Sequence, residues 1–126
     1  MTVEKLIGRC IIAGSRSATQ KDVDAALAAC PWSPGITRVV TGCARGADTY
    51  GVAWAQARGL PVERFPAYWE QYGRHAGHIR NMAMAMSTDA LVAAWDGKSR
   101  GTRDMIHEAE ARELKVFVWH FGREEQ

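Results

Sequence analysis

The chain has 126 residues, of which 47% are hydrophobic and 24% charged; these values are typical of one globular domain and exclude a disordered chain. The formal net charge of +2 is too small to indicate nucleic-acid binding by itself, and no apolar run approaches the roughly 20 residues that span a bilayer. Twelve of the 16 basic residues are arginines, whose planar side chains suit bidentate contact with phosphate or carboxylate.

The three cysteines, Cys10, Cys30 and Cys43, are an odd number and show no C-x-x-C spacing. Cys10 lies in an apolar run and Cys30 on the apolar side of a helical pattern, so both are expected to be buried thiols in a reducing compartment. The N-terminal sequence MTVEKLIGRCII lacks the pattern of a secretory signal. These features predict a cytoplasmic protein with no membrane partner.

Short apolar runs alternate with helical patterns along the chain. The predicted strands are residues 9–13, 37–41, 62–65, 89–95 and 115–119. Helical apolar spacing appears in residues 21–30, 47–58, 79–86 and 105–114, with Ser17 or Thr19 as N-cap of the first helix and Gly59 as the stop of the second. Residues 67–78 are polar, aromatic and contain glycine, and are predicted to form a structured loop.

Strands that alternate with helices in this way predict an α/β fold with parallel strands. We expect a single Rossmann-like domain over residues 1–126, with three layers and a mostly parallel five-stranded sheet, and a loose tail at residues 121–126. In such sheets ligands bind beyond the carboxyl ends of the strands, so a functional site is expected in the loops there.

Three of these loops combine glycine with arginine. They read GSR at residues 14–16, GCARGAD at residues 42–48 and DGKSRGTR at residues 96–103. Two of them lead directly into helices, whose unpaired N–H groups attract anions. The ligand-binding residues predicted in these loops are Gly14, Ser15, Arg16, Gly42, Ala44, Arg45, Gly46, Gly97, Gly101 and Thr102.

Each loop also has a purely structural interpretation. A glycine after a strand is most often part of a turn, and GCARG has neither the G-x-G-x-x-G nor the Walker A spacing. Asp48 either caps its helix or contacts a ribose hydroxyl, and Thr102 occupies a position that suits an N-cap as well as a phosphate contact. Three such loops at one sheet edge favour anion binding. We expect Arg45→Ala to abolish ligand binding and to leave the fold intact.

The sequence FPAYWEQYGRHAGHIRN at residues 65–81 mixes aromatic and basic side chains, a combination that suits a stacked, negatively charged ligand. The ligand-binding residues predicted here are Tyr68 and Trp69, which stack on a base, and Arg74, Arg80 and Asn81, which close over phosphates. Alternatively, Trp69 and Tyr72 cover the sheet edge, and Arg80 is a solvated arginine.

The sequence predicts neither a metal nor a cofactor. His75 and His78 have an i, i+3 spacing that suits two metal ligands, but no suitable third ligand is placed beside them by the sequence. Trp32, Trp54 and Trp119 are assigned to packing or to subunit contacts, and a homodimer is expected.

The motifs GSR, TGCARGAD, FPAYWEQYGRHAGHIRN and DGKSRGT together resemble the YspA/YpsA-related branch of the SMF/DprA–LOG (SLOG) superfamily, in order over residues 14–116. The resemblance implies a Rossmann-like fold, a pocket for nucleotides or nucleotide-derived ligands, and a small cytoplasmic protein of bacterial or phage origin. The DprA branch of the superfamily also suggests single-stranded DNA binding, a function that the net charge of +2 makes unlikely.

The lonely-guy branch of that superfamily consists of phosphoribohydrolases with the signature P-G-G-x-G-T-x-x-E, in which the glutamate is catalytic. Gly101 and Thr102 match the G-T of the signature, but the glutamate position is Met105. Asp104 is adjacent, and one residue along a helix turns a side chain by about 100°. Arg80 is a candidate counterpart of the arginine that precedes the signature in that branch.

Two functional hypotheses follow from these residues. The first is a sensor or sequestering protein that binds a nucleotide-derived ligand, an ADP-ribose-type signal being one candidate. The second is a nucleotide N-glycoside or phosphoester hydrolase in which Asp48, Asp96 or Asp104 acts as general acid or base. The absent signature glutamate favours the first hypothesis and leaves enzymatic activity undecided.

Overall fold

The computed structural model describes residues 6–42 and 47–122 of the chain. Its five strands are β1 (Gly8–Gly14), β2 (Ile36–Thr41), β3 (Val62–Arg64), β4 (Ala90–Trp95) and β5 (Lys115–His120). They form one sheet in the order β3–β2–β1–β4–β5, and all four pairings are parallel. The predicted α/β fold with a five-stranded sheet is therefore confirmed, and the sheet is wholly rather than mostly parallel.

The helices are α1 (Gln20–Ala29), α2 (Ala47–Ala57), α3 (Trp69–Tyr72), α4 (Ala76–Met86) and α5 (Arg100–Ala111). The prediction of a loop over residues 67–78 is wrong in part, because this segment contains α3, a 3₁₀ turn and the start of α4. The N–H groups of Gln71 and Tyr72 both donate to the carbonyl of Tyr68, and Gly73 ends the turn with φ of +59°. Such short turns rest on local hydrogen bonds and bury no apolar stripe, so they leave no periodic signal in the sequence.

The sheet is buried on both faces, as parallel sheets require. Cys10 and Ile12 of β1 face a core that includes side chains of α1 and α2, such as Val23 and Trp54. Ile11 and the other alternate residues of β1 face a second core that includes side chains of α4 and α5. The three layers of a Rossmann-like fold follow directly from this alternation along the strands.

Several local predictions can be compared with the helix ends. Thr19 is the N-cap of α1 and forms a capping box with Asp22, as one of the two predicted caps. Gly59 follows α2 with φ of +69°, the conformation expected of a glycine after a helix. Cys10 and Cys30 are buried free thiols, as expected. Among residues 6–42 and 47–122, no helix is long and apolar enough to cross a membrane.

Helix α2 packs closely against the central strand at Gly51. A Cβ atom built on Gly51 would lie 2.7 Å from Cγ2 of Ile12, closer than real side-chain contacts allow. This glycine therefore lets α2 approach β1, and it fixes the start of α2 beside the carboxyl end of that strand.

Candidate functional site at the carboxyl edge of the sheet

The strand order brings the predicted loops together. β2, β1 and β4 are neighbours in the sheet, so the loops that begin at Gly14, Gly42 and Asp96 leave the same edge side by side. The chain adds β2 and β3 on one side of β1 and then β4 and β5 on the other. The strand order therefore reverses between β1 and β4, and that reversal is where ligands bind in open α/β sheets.

The ends of β1 and β4 are joined by a set of short-range contacts that we call the Ser15 junction, formed by Gly14, Ser15, Asp96 and Ser99. A Cβ atom on Gly14 would collide with the carbonyl oxygen of Ala94, so the two strand ends touch through backbone. Buried Ser15 donates its N–H to that same carbonyl at 3.0 Å. Its hydroxyl accepts the N–H of Asp96 at 3.0 Å and lies 2.9 Å from the hydroxyl of Ser99.

Asp96 is fully engaged within this junction. Its Oδ1 accepts the N–H groups of Lys98 and Ser99, each at 2.8 Å, and lies 3.0 Å from the Ser99 hydroxyl. Burial alone raises the pKa of Asp96, but these hydrogen bonds and that of Ser15 outweigh it and lower the pKa to about 2. The carboxylate is thus ionised at neutral pH and holds the loop that leads into α5.

A second polar group, the Arg80 cluster, consists of the side chains of His78, Arg80, Asn81 and Asp104 and the backbone of Gly42. Arg80 extends from α4 to the end of β2, where its Nη1 donates to the carbonyl oxygen of Gly42 at 2.7 Å. A Cβ atom on Gly42 would lie 2.8 Å from Nη1, so only glycine lets the guanidinium lie across the backbone there. Arg80 is therefore fixed at the sheet edge and is not a freely solvated side chain.

Asn81 links Arg80 to helix α5. Asn81 is 5% exposed, and its Oδ1 accepts Nε–H of Arg80 at 3.0 Å. Its Nδ2 donates to Oδ2 of Asp104 at 2.9 Å and lies 3.4 Å from the carbonyl of Gly101. Asp104 Oδ1 in turn lies 2.8 Å from Nδ1 of His78. The buried amide thus sets the orientation of both the guanidinium and the carboxylate.

Among the described residues, none supplies a counter-ion for Arg80. Its two acceptors are the neutral oxygens of Gly42 and Asn81. Within residues 6–42 and 47–122, no carboxylate lies in salt-bridge distance of Arg80, and its Nη2 group donates to no acceptor. An arginine that is held in place and still carries an unpaired charge is suited to bind an anion.

Similarity to known proteins identifies the family of this chain. A model of the YspA, cpYpsA-related SLOG family matches residues 9–72, half of the chain. The chain belongs to this SLOG family. It is also 38% identical over 90 residues to the gene 61 protein of Mycobacterium phage D29, an alignment that covers 67% of this chain and 70% of that protein. No solved structure matches it.

The family match covers only Gly42 of the Arg80 cluster. Residues 9–72 contain the ends of β1 and β2 with Gly14 and Gly42, and the aromatic residues of α3. They stop before Arg80, Asn81 and the loop that follows β4. The positions predicted in the second half of the site therefore rest on this chain's own geometry.

The aromatic residues of the SLOG domain's α3 lie at the surface. Tyr68 and Trp69 are each 59% exposed and Tyr72 is 40% exposed, so all three rings have a large solvent-accessible surface. A Cβ atom on Gly77 would lie 3.5 Å from the Trp69 ring and 3.9 Å from Nη2 of Arg80. An exposed indole and Nη2 of Arg80 therefore flank the same glycine of α4.

Helix α5 corrects one interpretation and bears on another. Thr102 is the third residue of α5 and is buried, and Ser99 is the N-cap, so the capping role considered for Thr102 is wrong. Met105, at the position of the lonely-guy glutamate, is 1% exposed and lies in the core. Asp104 points instead toward α4, where Asn81 and His78 contact it.

The remaining predicted residues are dispersed around this edge. Arg16, Arg74 and Gly101 are exposed, and Gly97 adopts φ of +83° beside His120. Asp48 is buried in the first turn of α2 and has a bonding partner. Ala44, Arg45 and Gly46 lie outside the described residues, and with them the predicted effect of Arg45→Ala.

The sequence does not predict the contacts of two residues at this edge, His78 and Ser99. His78 was considered only as a partner of His75, but it meets Asp104, which is 26 residues away on another helix. No spacing rule reports such a contact. Ser99 had a usable signal, because a serine immediately before a helix is a typical N-cap, and this position directs it toward Ser15 and Asp96.

A groove of about 990 Å³ lies elsewhere in the SLOG domain, between α1 and the C-terminal half of α2. Its lining includes Leu27, Trp54 and Leu60 but no predicted site residue. We place the candidate site at the carboxyl edge because charge, glycine packing and fixed donors converge there, whereas the groove offers mainly apolar side chains.

Proposed function

We propose that this SLOG protein binds a nucleotide-derived ligand at the carboxyl edge of its sheet and acts as a sensor or sequestering protein. The observation that carries the proposal is Arg80, whose guanidinium is fixed by neutral oxygens and has no carboxylate partner among the described residues. A side chain held in this way meets a phosphate without first giving up an ion pair, so little free energy is lost on binding.

The surroundings of Arg80 support a phosphate ligand. The first hydrogen bond of α5 runs from the N–H of Arg103 to the carbonyl of Ser99, so the N–H groups of residues 100–102 precede any acceptor within the helix. The helix dipole adds positive potential at the same place. Asn81 connects Arg80 with the carbonyl of Gly101, which brings this helix start and the guanidinium to the same part of the edge.

Trp69 supports the nucleotide part of the ligand. Its exposed ring flanks Gly77 together with Nη2 of Arg80. A base stacked on an aromatic ring gains about 1–3 kcal/mol in nucleic-acid complexes, and any base can do so because each has a π-face. A ligand with a phosphate on Arg80 and a base on Trp69 would use both, as an ADP-ribose-type molecule can.

Hydrolysis of such a ligand is the second candidate, and a single observation favours it. The carboxylate of Asp104 lies 2.8 Å from the imidazole of His78 and is connected through Asn81 to Gly101, a pairing that suits general acid–base chemistry. Against it, Met105 occupies the signature glutamate position in the core, and Asp96 has a pKa of about 2 with its oxygens engaged. Binding without turnover therefore has the better support.

The test measures melting temperature and affinity for AMP, ADP, ADP-ribose and cyclic ADP-ribose species, with inorganic phosphate and adenosine as partial ligands. We expect a nucleotide-dependent rise in melting temperature in the unmodified protein. Arg80→Ala should weaken the affinity by about tenfold or more, because it removes a charged contact. Arg38→Ala removes the same charge from the start of β2 and should leave affinity unchanged.

Failure to bind any of these compounds, or equal losses in Arg80→Ala and Arg38→Ala, would contradict the proposal. The ligand that binds should then be recovered and analysed by mass spectrometry. Intact ligand agrees with a sensor or sequestering role. Release of free base or ribose phosphate that is lost in Asp104→Asn would instead establish the hydrolase.

A further inference from the structure

We propose that His78, Asp104 and Glu108 form a binding site for a divalent transition-metal cation. The three side chains offer one imidazole nitrogen and two carboxylate oxygens, and these atoms all lie within 4.8 Å of one another. The inference does not depend on the proposed nucleotide ligand, because it rests on a different set of donor atoms.

The helices place the three donors on one side of the α4–α5 contact. Asp104 and Glu108 are four residues apart on α5, so their side chains point from the same face of that helix, one turn apart. His78 reaches them from the first turn of α4. The site therefore bridges two helices that already pack against each other.

The spacing of the donors is close to what a metal needs. Metal bonds to nitrogen and oxygen of about 2.1 Å put neighbouring ligand atoms roughly 3–3.4 Å apart in tetrahedral or octahedral geometry. Nδ1 of His78 and Oδ1 of Asp104 lie 2.8 Å apart. The remaining separations, up to 4.8 Å, are within the reach of a small rotation of the Glu108 side chain.

Neighbouring residues orient the ligands without competing strongly for them. Asn81 donates to Oδ2 of Asp104 at 2.9 Å and so holds the carboxylate with both oxygens facing His78, at 2.8 and 3.0 Å from Nδ1, as the outer partners of metal-bound carboxylates do. The ion pair of Glu108 with Arg112 is loose, at 3.7 Å, and joins two residues on the same helix. Glu108 can therefore turn to a cation at small cost.

The exposure of the site fits an exchangeable ion. The side chains of His78, Asp104 and Glu108 have 48%, 32% and 20% of their surfaces exposed, so a cation can enter from solvent and complete its coordination with water. An imidazole nitrogen among the ligands favours Mn²⁺, Co²⁺, Ni²⁺ or Zn²⁺ over Mg²⁺ and Ca²⁺, which prefer oxygen ligands alone.

The test uses the full chain after treatment with a chelator, with Co²⁺ as probe and Mg²⁺ as comparison. Calorimetric titration should show one equivalent of Co²⁺ bound, with much weaker binding of Mg²⁺. Glu108→Gln and His78→Ala should each weaken Co²⁺ binding by at least about tenfold, because each removes a ligand. His107→Ala and Glu110→Gln change exposed neighbours on α5 and should have no effect.

Circular dichroism and melting curves identify variants that fail to fold. Only variants that retain the wild-type spectrum are compared for Co²⁺ binding. The proposal is overturned if Co²⁺ does not bind, or if it binds equally to all four variants. It is also overturned by a thiolate-to-cobalt charge-transfer band in the absorption spectrum, because that band would place the ion on a cysteine instead.

Discussion

The Ser15 junction and the Arg80 cluster lie at the same edge of the sheet but handle charge in opposite ways. In the junction, the carboxylate of Asp96 accepts the N–H groups of Lys98 and Ser99 and contacts the Ser99 hydroxyl, and its pKa is about 2. In the cluster, the guanidinium of Arg80 donates only to neutral oxygens of Gly42 and Asn81. Its Nη2 group has no acceptor among the described residues. The charge of Asp96 is therefore satisfied within the Ser15 junction. Arg80 is held in place but has no counter-ion among the described residues, as is typical of an anion-binding site.

The largest expected effect on stability lies in the Ser15 junction. Gly14→Ala places a methyl group against the carbonyl oxygen of Ala94 and 2.9 Å from Cβ of Ala47, so β1, β4 and α2 cannot all keep their positions. We expect a loss of about 3 kcal/mol in the free energy of unfolding, measured by urea denaturation. Gly101→Ala is the control, because its methyl group meets nothing within 4 Å; a similar loss there would refute the packing argument.

The next largest effect is expected at Asn81, which holds the Arg80 cluster together. Asn81→Leu leaves Nε of Arg80 and the carboxylate of Asp104 without their buried amide partner, and should cost about 2–3 kcal/mol of unfolding free energy. Asn81→Asp keeps a partner for Arg80 but neutralises it. We therefore expect the aspartate variant to lose anion affinity with Arg80 still present, and undiminished affinity would mean that the open charge of Arg80 is not used.

A smaller effect is the acid sensitivity of the Ser15 junction. The folded pKa of Asp96, about 2, lies below the ordinary value of 3.8, so its stabilising contribution is fully present above about pH 4 and is lost as the pH falls through about 2. Because Asp96 is partly exposed, we expect about 1 kcal/mol over this range. Asp96→Asn should be less stable than the wild type at neutral pH, and the difference should shrink on acidification; a constant difference would contradict the assignment.

The smallest effect on stability is expected at the exposed side chain of Trp69. Trp69→Ala should change the unfolding free energy by less than about 0.5 kcal/mol, because the ring is 59% exposed. Trp54→Ala is the contrasting variant, since that ring is buried beneath the guanidinium of Arg58 at 4.3 Å and its loss should cost about 3 kcal/mol or more. A large loss in Trp69→Ala would make Trp69 a packing residue and weaken its assignment to the ligand.

The strands could be predicted from the sequence because most of them are apolar or β-branched runs bounded by glycine, proline or charge; β3, with the sequence VER, is the weakest case. The predicted limits of every strand differ from the observed ones by one residue, at both ends of β1 and at one end of each of the others. Parallel pairing followed from the intervening helices, so the convergence of three loops at one edge could be anticipated without coordinates. Helix α3 could not, because its aromatic side chains face solvent and give no apolar period.

The contacts of the candidate site were harder to predict than its position. Arg80 and Gly42 are 38 residues apart, and their hydrogen bond depends on how α4 crosses the end of β2. The sequence marks Asp104 as a candidate acid or base, but nothing in it indicates that Asp104 and Glu108 lie close to His78. Sequence order specifies which loops share an edge, but side-chain direction across two helices is decided by packing.

The central place of β1 has a consequence for how the protein is made. β1 is synthesised before its two partners in the sheet: β2 begins at Ile36, whereas β4 ends only at Trp95. Such long-range parallel pairings close slowly, so one side of β1 stays without its neighbour while most of the chain emerges from the ribosome. A nascent chain that ends at residue 72 can pair three strands, yet the crevice between β1 and β4 does not exist in it. Any ligand of that crevice can therefore assist only the late steps of folding.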